Sequence, residues 1–263
     1  MRQRPPIQVT RDSRMDTSGD TRKPLAVETQ HTLLQQLNEA VARNHGNGGG
    51  LLRIESLQHG LLWEGAAGEV ERHGPMMTPS HAFEVASITK TFTAAVVMLL
   101  READLVDLDA PVAQYLERHL IHHLLVIDGH DYGPEITVRQ LLNHTSGLPD
   151  YWSDGPFVHA KENEFLQVFE AHPHRLWEPI QLLHFARGLN AVGKPGRQFH
   201  YCDTGYTLLG LMIEQTAHQP LAQVLRERLF VPLKMNDTYV SYREQPPHLL
   251  VESHRFEATP RFS

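Results

Sequence analysis

The chain has 263 residues, 41% of them apolar, with a net charge of −7 and a single cysteine. That apolar share supports a packed core and excludes a wholly disordered chain, while the acidic balance gives no basis for binding nucleic acid or an anionic membrane. A lone Cys202 excludes an intrachain disulfide and a cysteine-based zinc site, and no apolar run reaches the length of a membrane-spanning helix.

Residues 1–24 are polar and charged and lack the apolar stretch of a secretory signal, which predicts a disordered tail and a cytoplasmic protein. From Val27 to Asn44, Leu33, Leu34, Leu37, Ala40 and Val41 recur at helical spacing and form one face. A Gly-rich turn ends that helix. Leu51–Leu57 and Leu61–Val70 then read as two strands joined by the hairpin signal Gln58-His59-Gly60.

Ser87 heads an almost wholly apolar segment through Leu100, predicted as a helix buried on most sides. Leu105–Leu116 reads as a turn and a short helix, and Ile121–Pro134 as a loop. Thr137 is the expected N-cap of a short helix to Asn143. Helices are expected at Glu164–Ala171, Pro179–Ala186 and Thr204–Thr216, with a last one from Pro220 to about Leu229. Two early strands followed by many helices give an α+β class with a sheet too small to stand alone.

Ser87 and Lys90 are spaced i, i+3, so on a helix their side chains share a face about one turn apart. Serine needs a base to become a nucleophile, and a lysine of lowered pKa can serve. The helix dipole and the apolar surroundings are both expected to depress Lys90. A plain serine cap followed by a lysine reaching solvent would leave the same spacing. Tyr201 and Asp203, two residues apart before another helix, project to one side of an extended segment. A tyrosine beside an ammonium can exchange protons with a serine. Taken singly, Tyr201 also reads as a core aromatic and Asp203 as a helix N-cap.

The 18 histidines include the pairs His122-His123 and His172 with His174. These lie in loop-like segments without i, i+4 pairing or a carboxylate set at the usual spacing, so neither a metal site nor a cofactor is expected.

Three blocks together resemble the serine β-lactamase and penicillin-binding-protein superfamily, in its class C β-lactamase, D-alanyl-D-alanine carboxypeptidase and esterase branch. They are Phe83-Glu84-Val85-Ala86-Ser87-Ile88-Thr89-Lys90, Ile136 through Leu148, and Pro195-Gly196 with Phe199, Tyr201 and Gly205–Gly210. The resemblance spans roughly residues 25–245. It implies a β-lactamase/transpeptidase-like fold, a helical domain beside an antiparallel sheet, and hydrolysis of an ester or amide through a Ser87 acyl-enzyme. Lys90 would accept the serine proton, Tyr201 would pass it to the leaving group, and Asp203, where the family usually has Asn and in some members Asp, would orient Lys90 and contact substrate. The backbone N–H of Ser87 would be one oxyanion donor.

Cys202 stands in place of a small serine, its side chain expected to point away from the site. The extra charge of Asp203 favours esters, amides or positively charged peptides over β-lactams. The family's third motif, Lys-Thr-Gly or His-x-Gly, does not follow Asp203. The resemblance therefore implies that residues 25–263 hold the first two strands and the helical region. The C-terminal strands and final helix would be missing from this chain, or supplied by a second chain. The resemblance also implies a small-molecule or peptide substrate as the partner. The alternative is a non-catalytic homologue or an inactive truncated fragment.

Overall fold

The computed structural model describes residues 23–43, 48–70, 73–154, 164–172, 175–241 and 243–245. The expected disordered tail, apart from Lys23 and Pro24, lies outside these residues. Lys23 itself pairs with Leu61 in a one-residue parallel bridge. The chain divides into two compact units, residues 1–84 with 248–263 and residues 85–247.

In the first unit, α1 (Val27–Arg43) packs on an antiparallel hairpin of β1 (Gly49–Ser56) and β2 (Leu61–Gly68). The register runs from Gly49 opposite Gly68 to Ser56 opposite Leu61. It sets Arg53 across from Glu64, with which it forms an ion pair. Gly50 lets the helix approach: a Cβ there would lie 2.9 Å from Val41 Cγ2 and 3.2 Å from Leu37 Cδ1. The helical face read from Leu37 and Val41 is thus the face laid on the hairpin. Trp63 and Ala67, two of the alternate β2 residues, are buried, as a strand with one covered face requires.

The second unit is mostly helical. A 3₁₀ turn at Ala86–Ile88 leads into α2 (Thr89–Glu102), followed by α3 (Arg118–Ile121) and the ribbon β3 (Val126–Ile127) and β4 (His130–Asp131). Next come α4 (Val138–Leu142), α5 (Glu164–Ala171), α6 (Pro179–Arg187), α7 (Asp203–Ala217) and α8 (Leu221–Leu225), which continues as a π-helical turn, Arg226–Phe230. The spine is α7, packed on α2, α4, α6 and α8. Its Leu208, Leu209, Met212 and Ile213 are wholly buried. Their i, i+1, i+4, i+5 spacing makes one continuous apolar stripe, and burying each such side chain contributes about 1.5–3 kcal/mol.

Several expectations need correction. The helix after Ser87 begins as a 3₁₀ turn and buries one face, Thr93, Val96, Val97 and Leu100, while Met98 is 42% and Leu99 38% exposed. Its apolar run is longer than its covered face. The segment Ile121–Pro134 is not all loop: Asp128 (φ +52) and Gly129 (φ +79) make a left-handed two-residue turn that pairs β3 with β4. Asp-Gly is a strong hairpin signal for this geometry. Pro220 is the N-cap of α8. Thr137 does cap α4, with a full capping box to Gln140.

Candidate active site

Lys90 occupies the centre of the site. Its Nζ lies 3.3 Å from Ser87 Oγ, donates to it, and forms an ion pair with Asp203. It also lies 4.8 Å from the Tyr201 ring centroid and 5.7 Å from that of Tyr206. The residues singled out in the sequence therefore converge on one ammonium, although Ser87 and Lys90 are more than one hundred positions from Tyr201 and Asp203.

The local backbone explains the convergence. Ala86, just before the serine, takes a left-handed φ of +44°, unusual for a residue with a Cβ. That bend starts the 3₁₀ turn and leaves the Ser87 side chain exposed. Such strained positions persist where the surrounding structure over-determines them. Lys90 follows in the first turn of α2 with a side chain only 17% exposed.

The expected depression of Lys90 does not hold. Burial does act to lower its pKa, but the hydrogen bonds to Asp203 and Tyr201 and their charges outweigh it, and the net shift is upward. The dipole and the apolar helix are read from local spacing; the carboxylate that outweighs them comes from Asp203, which the resemblance places beside Lys90 and whose effect on the pKa local spacing does not weigh.

Asp203 is not the N-cap of α7. That position is Cys202, whose Sγ accepts from Gly205 N–H at 3.4 Å, leaving Asp203 as the first residue of the helix. Its carboxylate is engaged by Lys90 and its N–H by Asp150 Oδ1 at 2.9 Å. The Cys202 side chain is buried, donating to Pro149 O at 3.4 Å, and burial pushes its thiol up to about 12.

Three further residues belong to the site. His144, at a left-handed φ of +58°, stacks on Tyr201 at 4.5 Å and on Tyr206 at 5.1 Å. Its Nδ1 accepts the Cys202 N–H at 3.1 Å, so the neutral ring carries its proton on Nε2. Burial and then the Lys90 charge hold its pKa below the ordinary histidine value. Tyr206 donates its hydroxyl to Leu142 O at 3.0 Å. Asp150, 1% exposed, accepts from Asp203 N–H and from the Ser153 N–H and hydroxyl. Nearby, Asp154 bonds His200 at 2.8 Å and Thr204 donates to Pro149 O at 2.7 Å. These buried polar contacts tie the 149–154 loop to the Tyr201–Asp203 segment. His144 lies inside a block quoted for the resemblance; its facing of Tyr201 is a product of folding.

The turn bearing His144 is clamped to the loop before Tyr201. Val192 N–H donates to Gly147 O, Gly196 N–H to Thr145 O, and His200 N–H to His144 O, at 3.1, 2.7 and 2.8 Å. Gly147 permits the close approach, with φ +77° and a hypothetical Cβ only 1.9 Å from Gly193 O. Of the histidine pairs, His174 lies outside the described residues. The pair His122-His123 does have a carboxylate neighbour, Asp131, brought near by the β3–β4 turn.

Residues 58–261 match the model of the Beta-lactamase family. The chain belongs to that family. It is 30% identical over 218 residues to penicillin-binding protein 4* of Bacillus subtilis (strain 168), covering 81% of this chain and 42% of that protein. Among solved structures it is similar to a D-stereospecific amidohydrolase from Streptomyces sp., with 35% identity and a TM-score of 0.64, covering 80% of this chain and 56% of the other. A D-amino acid amidase from Ochrobactrum anthropi SV3, complexed with L-phenylalanine, matches at 27% identity and the same TM-score of 0.64, over 83% and 56%. The fold is therefore β-lactamase/transpeptidase-like and the family is one of serine hydrolases. The chain spans about half the length of these relatives. Among the described residues no helix is long and apolar enough to cross a membrane. None of the comparisons supports a second chain completing the sheet.

Proposed function

We propose that this chain carries the nucleophilic centre of a serine amidohydrolase that acts on amides or esters of D-amino acids. Ser87 Oγ attacks the carbonyl carbon. The serine proton passes to Lys90 in its neutral form and on through Tyr201 to the leaving nitrogen or oxygen, as the bond to that atom breaks. Water then attacks the Ser87 ester and releases the acid. Asp203 holds Lys90 as the ammonium at rest, so the reactive fraction grows with pH. The observation that carries this reading is the single Lys90 ammonium shared by Ser87 at 3.3 Å, by Asp203 and by Tyr201.

The D-amino acid class is supported by the two solved relatives named above and by the carboxylate of Asp203. A negative charge beside the nucleophile disfavours a substrate carboxylate and favours a free α-ammonium. The test is intact-mass analysis of the folded chain with a fluorophosphonate probe, beside Ser87→Ala. One adduct, absent in the variant, is expected, followed by hydrolysis of D- but not L-aminoacyl p-nitroanilides. A folded chain that takes no adduct refutes the catalytic reading and leaves a non-catalytic homologue. An adduct with preference for L-substrates refutes the substrate class alone.

A further inference from the structure

A second cluster of chemistry-bearing side chains sits where α3 meets the β3–β4 ribbon. His122 is extended (φ −63°, ψ 138°), while His123 takes a left-handed φ of +60°. Consecutive side chains of an extended segment point apart; the left-handed residue instead lets both rings face one carboxylate. His122 Nδ1 lies 3.1 Å and His123 Nδ1 3.8 Å from Asp131 Oδ2. One donor atom from each of the three residues lies within 4.8 Å of the others. A tetrahedral zinc ion with ligands at about 2.0–2.2 Å sets its donor atoms roughly 3.3–3.6 Å apart. The two nitrogen–oxygen separations bracket that value, and the exposed His123 ring is free to adjust.

The carboxylate is already oriented. Asp131 Oδ1 accepts from Gly133 N–H at 3.0 Å and Oδ2 from His123 N–H at 2.9 Å. Hydrogen bonds of this kind orient ligating groups. Arg187 braces the same turn from behind, donating to the carbonyls of His119, Leu120 and His122. Two imidazoles and one carboxylate suit a borderline ion such as zinc, whereas calcium and magnesium favour all-oxygen sites.

We propose that His122, His123 and Asp131 form a zinc site, completed by solvent and built from residues other than those around Ser87. One neighbour opposes the ion. Arg118 Nε donates to His122 Nε2 at 2.6 Å, which places the ring proton on Nδ1, facing Asp131. Zinc at Nδ1 requires that proton to move to Nε2, where it would meet the Arg118 donor. Arg118, exposed at the start of α3, must therefore turn away, and the zinc site competes with the arginine contact.

The test is calorimetric titration of zinc into the untagged, chelator-treated chain, with cobalt absorption as a second readout. One equivalent is expected for the native chain, with binding at least about tenfold weaker in His123→Gln and Asp131→Asn and tighter in Arg118→Ala. Magnesium is expected not to bind. His123→Gln leaves the backbone N–H to Asp131 in place, so it keeps the test readable if Asp131→Asn unfolds the turn. Absence of zinc binding by the native chain, or equal binding by His123→Gln, overturns the proposal.

Discussion

Replacing Gly147 with alanine puts a Cβ where its nearest neighbour would be Gly193 O, 1.9 Å away. The neighbour is backbone, so no side chain can rotate aside. Relief requires moving the 192–200 stretch away from the 144–147 turn, by more than an ångström to regain ordinary contact. The bonds at risk are Val192 N–H to Gly147 O, Gly196 N–H to Thr145 O and His200 N–H to His144 O. Each contributes about 0.5–1.5 kcal/mol, and the left-handed φ of +77° costs any residue with a Cβ about 1–2 kcal/mol more. Two lost bonds plus the φ cost give a destabilisation of about 2–5 kcal/mol, a lowering of Tm by roughly 4–20 °C. Gly129→Ala is the control. Its φ is +79°, but nothing lies within 4 Å of the added Cβ, so it should lose only about 1–2 kcal/mol. Urea unfolding of both variants isolates the clash from the backbone cost. If Gly147→Ala loses no more than Gly129→Ala, the rigid clamp between the His144 turn and the Tyr201 segment is wrong.

Asp203→Asn removes the ion-pair partner that helps hold the Lys90 pKa up; the pH dependence of fluorophosphonate labelling should move to lower pH, and an unmoved profile would mean that Lys90 does not gate the reaction. His144 has a depressed pKa, so its contribution to stability is complete above about pH 6.5 and is lost as pH falls through its folded value. Denaturant midpoints should decline on acidification below 6.5, and more shallowly in His144→Gln. The Cys202 thiol, pushed up to about 12 by burial, should resist Ellman's reagent in the folded chain at pH 8 and react at once in urea. Because the unfolded thiol ionises near its ordinary value while the folded one stays protonated, its contribution falls from about pH 9 to 12. Alkaline melts of Cys202→Ala should show a weaker decline there.

Much of this protein is legible along the chain because local rules suffice. The α1 face of Leu37 and Val41, the hairpin around Gly60, the Thr137 N-cap and the candidate site residues Ser87, Lys90, Tyr201 and Asp203 all follow from short-range spacing or from motif resemblance. The missed β3–β4 turn was also local: Asp128-Gly129 announces it. What spacing could not supply is any property created by bringing distant segments together. The upward shift of Lys90 depends on Asp203, 113 positions away, arriving within ion-pair reach. The stacking of His144 on Tyr201 accompanies the Gly147 clamp, and the Asp203 carboxylate docks on Lys90 while Cys202 Sγ takes the Gly205 N–H as the cap. Local periodicity constrains which face of an element is apolar; the electrostatic environment of a side chain is a sum over neighbours in space, and that sum exists only once the chain has folded.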